Sequence, residues 1–98
     1  MFFHSRRFGY TENYKELFTG LKGAKEYVEQ KYPTVTIELM YGLDGERGKA
    51  YVLTRYESMG DYESINAALD DDEKYREISS AIYEYIVPPL VDRFFKGI

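Results

Sequence analysis

The sequence predicts an α+β fold in which four strands and two helical segments follow in the order β-α-β-β-α-β. Residues 34–56 alternate apolar and polar side chains on both sides of a glycine-rich turn, as a β-hairpin does. A helix-periodic segment precedes this hairpin, another follows it, and a short alternating stretch lies near each end of the chain. This order is ferredoxin-like, with an antiparallel four-stranded sheet and the helices on one face.

The first two elements are a strand and a helix. Two sets of side chains alternate along residues 2–10, which predicts the first strand. Residues 14–32 place apolar side chains at helical spacing, with lysine and glutamate on the other face, and Pro33 ends the helix. Gly20 and Gly23 lie inside this helix, where a missing side chain would permit close approach to the sheet.

The hairpin is the most regular part of the pattern. Val35, Ile37 and Leu39 form an apolar face suited to helices, and alternation resumes at Ala50 and continues to Tyr56. The glycines between the strands are expected to supply the positive φ angles that the reversal needs; they are Gly42, the pair Asp44-Gly45, and Gly48.

The second helical region begins with Ser58 as N-cap and Asp61 in the first turn. The acidic run 70–73 interrupts its apolar pattern, as a cap followed by a solvated turn would, and the spacing there is not that of a calcium loop. Pro88-Pro89 is expected to end the second segment. Residues 90–98 are short and rich in Val and Phe, so they predict the last strand.

Two helical layers can cover only one face of a four-stranded sheet. The other face is expected to carry a mixed set of apolar and polar side chains, and an exposed apolar patch of this kind usually marks an interface. A second copy of the same sheet across a two-fold axis would cover it, so the sequence predicts a homodimer. The apolar residues expected on this face are Phe2, Phe8, Met40, Tyr51 and Leu53.

Composition excludes several classes of protein. The 98 residues form one domain, 1–98. The chain lacks cysteine, so it has no disulfide framework and no thiolate metal site. No apolar run approaches the ~20 residues of a membrane span, and the N-terminal segment is unlike a signal peptide, which makes a cytoplasmic protein the expectation. A net charge of −4 disfavours a nucleic-acid partner.

Two stretches resemble a known superfamily. They are YVLTRYESMGDY at residues 51–62 and AALDDDEKY at residues 67–75, a strand, a capped helix, an acidic break and an aromatic residue. This pattern resembles the dimeric α+β-barrel superfamily, in particular its antibiotic-biosynthesis-monooxygenase-like and NIPSNAP-like domains. The arrangement of elements fits nearly the whole chain, whereas the sequence likeness lies between residues 51 and 75.

The resemblance implies that two sheets close into a barrel across a dimer, with a cavity beside each sheet or inside the barrel. Some members are cofactor-free oxygenases that act on polycyclic aromatic substrates, and others degrade haem with an Asn, a Trp and a His. This chain has no Trp, its single histidine is His4, and no Asn matches, so the haem-degrading subfamily is disfavoured.

Candidate site residues are expected on the mixed face of the sheet. His4 is the one histidine, and histidine is the side chain whose unperturbed pKa lies near neutrality. If a reaction occurs there, His4 is the candidate base, Tyr51 the hydrogen-bond donor and Arg55 the anion stabiliser. The candidate ligand contacts are Arg6, Glu38, Met40 and Leu53. Two alternatives remain open: a structural role for His4, and a structural salt bridge of Glu38 and Arg55 across the dimer. Neither a metal site nor a cofactor is predicted.

Three functions remain open from the sequence. The first is a homodimer that binds a small apolar or aromatic molecule beside the sheet. The second is a cofactor-independent monooxygenase that uses the same cavity for a polycyclic aromatic substrate. The third is a non-catalytic interaction module whose tyrosine-rich surface binds another protein.

Overall fold

A computed structural model describes residues 1–98, except for the side chain of residue 44. The chain forms one four-stranded antiparallel sheet in the order β2-β3-β1-β4, with three helices packed on one face. This is the predicted ferredoxin-like arrangement. The elements are β1 Phe2–Gly9, α1 Tyr14–Lys31, β2 Thr36–Tyr41, a 3-10 turn Asp44–Glu46, β3 Lys49–Tyr56, α2 Met59–Asp70, α3 Glu73–Tyr83 and β4 Val87–Lys96.

The facing of β1 corrects the prediction. Phe2 pairs with Tyr56 and Phe8 with Ala50, and directly paired residues of an antiparallel sheet point to the same side. Tyr56, Phe8 and Ala50 are buried beneath the helices, so Phe2, His4, Arg6 and Phe8 all lie on the helix-covered face. The expectation that Phe2 and Phe8 lie on the uncovered face is therefore wrong. Both alternating sets of β1 contain phenylalanine and arginine, so alternation alone could not decide between them.

The C-terminal strand begins earlier than predicted. β4 starts at Val87 and includes Pro88 and Pro89, while α3 has already ended at Tyr83. Proline is tolerated there because β4 is an edge strand, whose outer N–H groups need no partner in the sheet. The prolines therefore begin a strand at the sheet edge instead of ending the helix.

The turns and caps follow the predicted chemistry only in part. Among the residues that the structure describes, Gly48 is the glycine with a positive φ, +80°. Gly42 is required for space instead, because a Cβ atom there would overlap the carbonyl oxygen of Glu46. The side chain of Asp44 lies outside the described part. Ser58 caps α2 as predicted, since its hydroxyl accepts a hydrogen bond from the Asp61 N–H at 3.1 Å.

The two glycines of α1 have different roles, and they form a matched pair for a test. A Cβ atom on Gly20 would lie 2.8 Å from Cγ1 of buried Ile82, so Gly20 allows α1 to approach α3, not the sheet as expected. We expect Gly20→Ala to be destabilising, because overpacking of about 1–3 kcal/mol exceeds the gain in helix propensity. Gly23→Ala meets nothing within 4 Å and should be stabilising by about 0.5–1 kcal/mol. Urea unfolding measures both, and equal stabilisation would contradict this packing.

Asp72 joins α1 to the junction of α2 and α3. Its Oδ1 accepts the Tyr75 N–H at 3.1 Å and caps α3, as the prediction of a cap in the acidic run required. Its Oδ2 accepts hydrogen bonds from the Tyr27 hydroxyl and the Lys31 ammonium, each at 2.6 Å. The Lys31 contact, followed by Tyr27 and the Tyr75 N–H, lowers the pKa of Asp72 well below its usual range.

A lowered carboxyl pKa makes stability depend on pH. The stabilisation from Asp72 is fully present above its unfolded pKa of ~4 and is lost as the pH falls toward the folded value. We expect Asp72→Asn to lower the melting temperature at pH 7, and the difference from the native chain to shrink below pH 4. Thermal unfolding followed by circular dichroism measures this. The control is Asp71→Asn, an exposed neighbour, and an equal loss in the control would contradict the assignment.

Candidate functional site

A cavity of about 190 Å³ lies between the inner face of the sheet and the helices. Its walls are mostly apolar, because the strands and α1 direct their apolar faces toward it. The apolar lining includes Phe8, Leu21, Val28, Leu39, Val52 and Ile82. The polar side chains that reach it include His4, Arg6, Thr54, Tyr56, Asn66, Tyr75 and Ser79.

His4, Arg6 and Asp92 form a hydrogen-bonded cluster at this cavity. Arg6 lies directly opposite Asp92 in the pairing of β1 with β4. The guanidinium donates from Nε to Asp92 Oδ1 at 2.7 Å and from Nη2 to Oδ2 at 3.2 Å. Nε2 of His4 lies 2.9 Å from the same Oδ1. One carboxylate therefore holds both polar side chains of β1 that line the cavity.

Aromatic rings fix the plane of the His4 imidazole. Phe94 stacks on it with 4.8 Å between ring centroids and 11° between planes, and Tyr62 meets it edge-on at 5.8 Å. The imidazole side chain is only 14% exposed. Packing on two sides, together with the Asp92 hydrogen bond, leaves this ring little rotational freedom.

The electrostatics of the cluster determine the direction of the hydrogen bond between His4 and Asp92. The Arg6 hydrogen bond lowers the pKa of Asp92, with a smaller contribution from His4, and the same bond raises the pKa of Arg6. Asp92 is therefore an ionised carboxylate at neutral pH and can only accept hydrogen bonds. Nε2 of His4 must then be the donor in this hydrogen bond, which leaves Nδ1 as the one ring nitrogen that could accept.

A second hydrogen-bonded group of polar side chains lies in the cavity wall. Nδ2 of Asn66 donates to the Tyr56 hydroxyl at 3.1 Å and to the Tyr62 carbonyl at 2.8 Å. Tyr56 is only 4% exposed, and burial raises the pKa of its phenol. Tyr56 is thus a neutral phenol at any physiological pH, available to orient a bound molecule but not to act as a base.

The structure divides the sequence-predicted site residues between two faces. His4 and Arg6 lie at the inner cavity, whereas the other five lie on the uncovered side of the sheet, separated from them by the sheet itself. Those five are Glu38, Met40, Tyr51, Leu53 and Arg55. The prediction that all seven residues share one face of the sheet is therefore wrong, because the side chains of β1 point to the opposite faces from those predicted.

We call the uncovered side of the sheet the open face. The prediction that Glu38 and Arg55 lie on the same face is confirmed. Arg55 donates a hydrogen bond to the Thr36 hydroxyl at 3.3 Å. Among the described side chains, Arg55 has no carboxylate within 4.0 Å. Apolar side chains lie between the charged ones, and Phe95 is 52% exposed. The apolar members are Phe3, Met40, Tyr51, Leu53, Val91 and Phe95.

Sequence reasoning missed Asp92, Tyr56 and Asn66. Asp92 is the one acidic residue in the apolar C-terminal segment, which was a usable signal. Its partner could be identified only from the register of β1 with β4. None of the described helices is long and apolar enough to cross a membrane.

Comparison with known proteins supports the fold. No known family profile matches the sequence, and neither does any curated protein. Solved structures do match. An uncharacterised NIPSNAP domain protein from Burkholderia xenovorans superposes with a TM-score of 0.84 at 12% identity, over 100% of this chain and 95% of that one. The chain has the fold of these proteins.

Two further structures agree. A NIPSNAP family protein of unknown function from Agrobacterium tumefaciens has a TM-score of 0.81 at 13% identity, over 99% of this chain and 87% of its own. An antibiotic biosynthesis monooxygenase has a TM-score of 0.75 at 10% identity, over 100% of this chain and 99% of its own. These are the two groups that the sequence resemblance indicated. Identities this low establish the shared architecture and nothing about activity.

Proposed function

We propose that the chain is a homodimer, formed through the open face, that binds a small aromatic molecule in the inner cavity. The observation that carries the ligand proposal is the cavity itself, an apolar space between sheet and helices with a few converging polar groups. Such sites are the usual form of a small-molecule pocket. Six apolar side chains on the open face, with no helix above them, support association with a second copy.

The size of the cavity limits the ligand. An apolar cavity of about 150 Å³ holds one benzene molecule, whereas pockets for drug-sized ligands reach about 300–1,000 Å³. A volume of about 190 Å³ therefore fits one ring with a small substituent. This argues against the polycyclic aromatic ligand that the superfamily resemblance implied.

The polar groups favour a ligand that donates a hydrogen bond. His4 lines the cavity, and its Nδ1 is the ring nitrogen left to accept, because Nε2 donates to Asp92. A phenol-like hydroxyl on a single ring would supply the missing donor. The ring itself would contact aliphatic side chains of the sheet and α1.

The first experiment tests ligand size and position. We expect phenol to perturb the amide NMR signals of cavity residues, and hydroxyanthraquinone to leave them unchanged. Ala24→Leu fills the cavity and should abolish the phenol response. Ala81→Leu, the same substitution at an exposed position of α3, should retain it. Phenol binding that survives Ala24→Leu, or tight binding of the three-ring compound, would contradict this site.

A cofactor-independent monooxygenase is the second candidate. The observation that favours it is the His4–Asp92 pair, since a carboxylate that orients an imidazole is the usual arrangement of a general base. In this version His4 accepts a hydroxyl proton of a dihydroxybenzene, and a ring carbon of the phenolate forms a bond to O₂. The ring peroxide then loses water to give a hydroxyquinone, so that one oxygen atom enters the product and the other leaves as water.

Oxygen uptake tests the catalytic version. A dihydroxybenzene substrate should give uptake that falls by about 100-fold or more in His4→Ala, as loss of a general base does. Tyr51→Phe changes a residue on the opposite face and should leave the rate unchanged. The catalytic version would be contradicted if single-ring substrates caused no uptake, and the proposal of binding alone would remain.

A further inference from the structure

The charges of this acidic chain are segregated by face. Four basic side chains lie on the open face, Arg7, Lys49, Arg55 and Arg93, against one acidic side chain, Glu38. The open face therefore carries a net charge of +3, although the whole chain carries −4. Of the 16 other acidic residues, eight lie in the helices, on the far side of the sheet.

The register gathers the three arginines around Ser5. Arg93, on β4, lies directly opposite Ser5. Arg7 lies two residues after Ser5 on β1, and Arg55, on β3, is diagonal to Ser5. These relations correspond to Cα separations of about 5, 7 and 8 Å. An arginine side chain spans such distances, so the Arg7 and Arg93 guanidinium groups can meet above the Ser5 hydroxyl, and Arg55 can join them by leaving its contact with Thr36.

These arginines lack the partner that Arg6 has. On the inner face Arg6 makes two hydrogen bonds to Asp92. On the open face Arg55 donates only to a threonine hydroxyl, and within the described side chains neither Arg7 nor Arg93 makes a salt bridge. Exposed in a monomer, they would be hydrated by water. Buried against a second open face, they would be unpaired charges, which is costly.

A second copy cannot neutralise this face by itself. The partner brings the same surplus of positive charge, and its Glu38 can offset only one of the four facing cations. We propose that a small, multiply charged oxyanion of the phosphate class is bound between the two sheets by Ser5, Arg7, Arg55 and Arg93 of both copies. Guanidinium groups recognise such oxyanions through paired N–H donors. This inference rests on the proposed homodimer and adds that an anion controls its assembly.

Sedimentation velocity at matched ionic strength tests whether an oxyanion strengthens the association of the two copies. The chain is compared in sodium chloride alone and with inorganic phosphate or sulfate replacing part of the chloride. An anion that binds only the dimer tightens association about tenfold when present at ten times its own dissociation constant. Arg93→Gln should lose this response, whereas Arg76→Gln, the same charge change on α3, should keep it. Phosphate ³¹P line width provides a second readout of binding.

The outcomes separate the two proposals. A monomer in every buffer would overturn the homodimer. A dimer of equal strength with and without the oxyanion would overturn the anion site and leave the homodimer intact. A phosphate response that persists unchanged in Arg93→Gln would also overturn the site. A response lost in Arg93→Gln and kept in Arg76→Gln would establish it.

Discussion

Replacing Leu53 with lysine should convert the proposed dimer into a monomer. Leu53 lies in the middle of the open face, between Glu38 on β2 and Ser5 on β1. Lysine there adds one cation per copy to a face that already carries a surplus of positive charge, and like charges across an interface cost several kcal/mol. We expect the dimer dissociation constant to rise by about 100-fold or more.

The control for this change is Leu43→Lys. Leu43 is 70% exposed in the turn between β2 and β3, so the same substitution there should leave association unaltered. Sedimentation velocity measures both variants, and far-UV circular dichroism checks that each remains folded. Unchanged association in Leu53→Lys would mean that the open face is not the interface.

Phe8→Ala should cause the largest loss of folding stability among the phenylalanine variants of β1 and β4. Phe8 is 2% exposed and packs with Leu17, Ala50 and Ile82 under the helices. Truncation of a buried phenylalanine costs about 3–5 kcal/mol, a large part of the ~5–15 kcal/mol that stabilises a typical domain. This variant therefore tests the corrected facing of β1.

Phe95→Ala is the matched control. Phe95 lies on the open face and is 52% exposed, so its loss should cost less than ~1 kcal/mol in the monomer. Both changes are made in the Leu53→Lys background, which separates folding from association, and urea unfolding gives the free energies. Equal losses at the two positions would contradict the facing assigned to β1.

The hairpin shows what the sequence could predict. Apolar and polar side chains alternate without interruption along β2 and along the return strand β3. Only one of the two faces of this hairpin is apolar enough for a core. The structure confirms that Ile37 and Ala50 lie on the buried side. The start of α1 near Tyr14 follows from local periodicity, although Asn13 makes no capping hydrogen bond, and the start of α2 follows from the Ser58 cap.

The facing of β1 shows what the sequence could not predict. A shift by one residue exchanges the two faces of a strand, and both sets of β1 side chains mix aromatic and charged residues. The choice depends on long-range pairing, where Phe8 meets Ala50 and Arg6 meets Asp92. The His4–Arg6–Asp92 cluster is a product of that pairing, so no local pattern contained it.

Isotope-filtered NMR can detect whether a second copy covers the open face. A mixed sample of labelled and unlabelled chains reports only contacts between copies. We predict intermolecular NOEs among Phe3, Tyr51, Leu53 and Phe95, with none from the exposed surface of α3. Intermolecular NOEs confined to the helices, or a fully hydrated sheet without any such NOEs, would contradict a dimer formed through the open face.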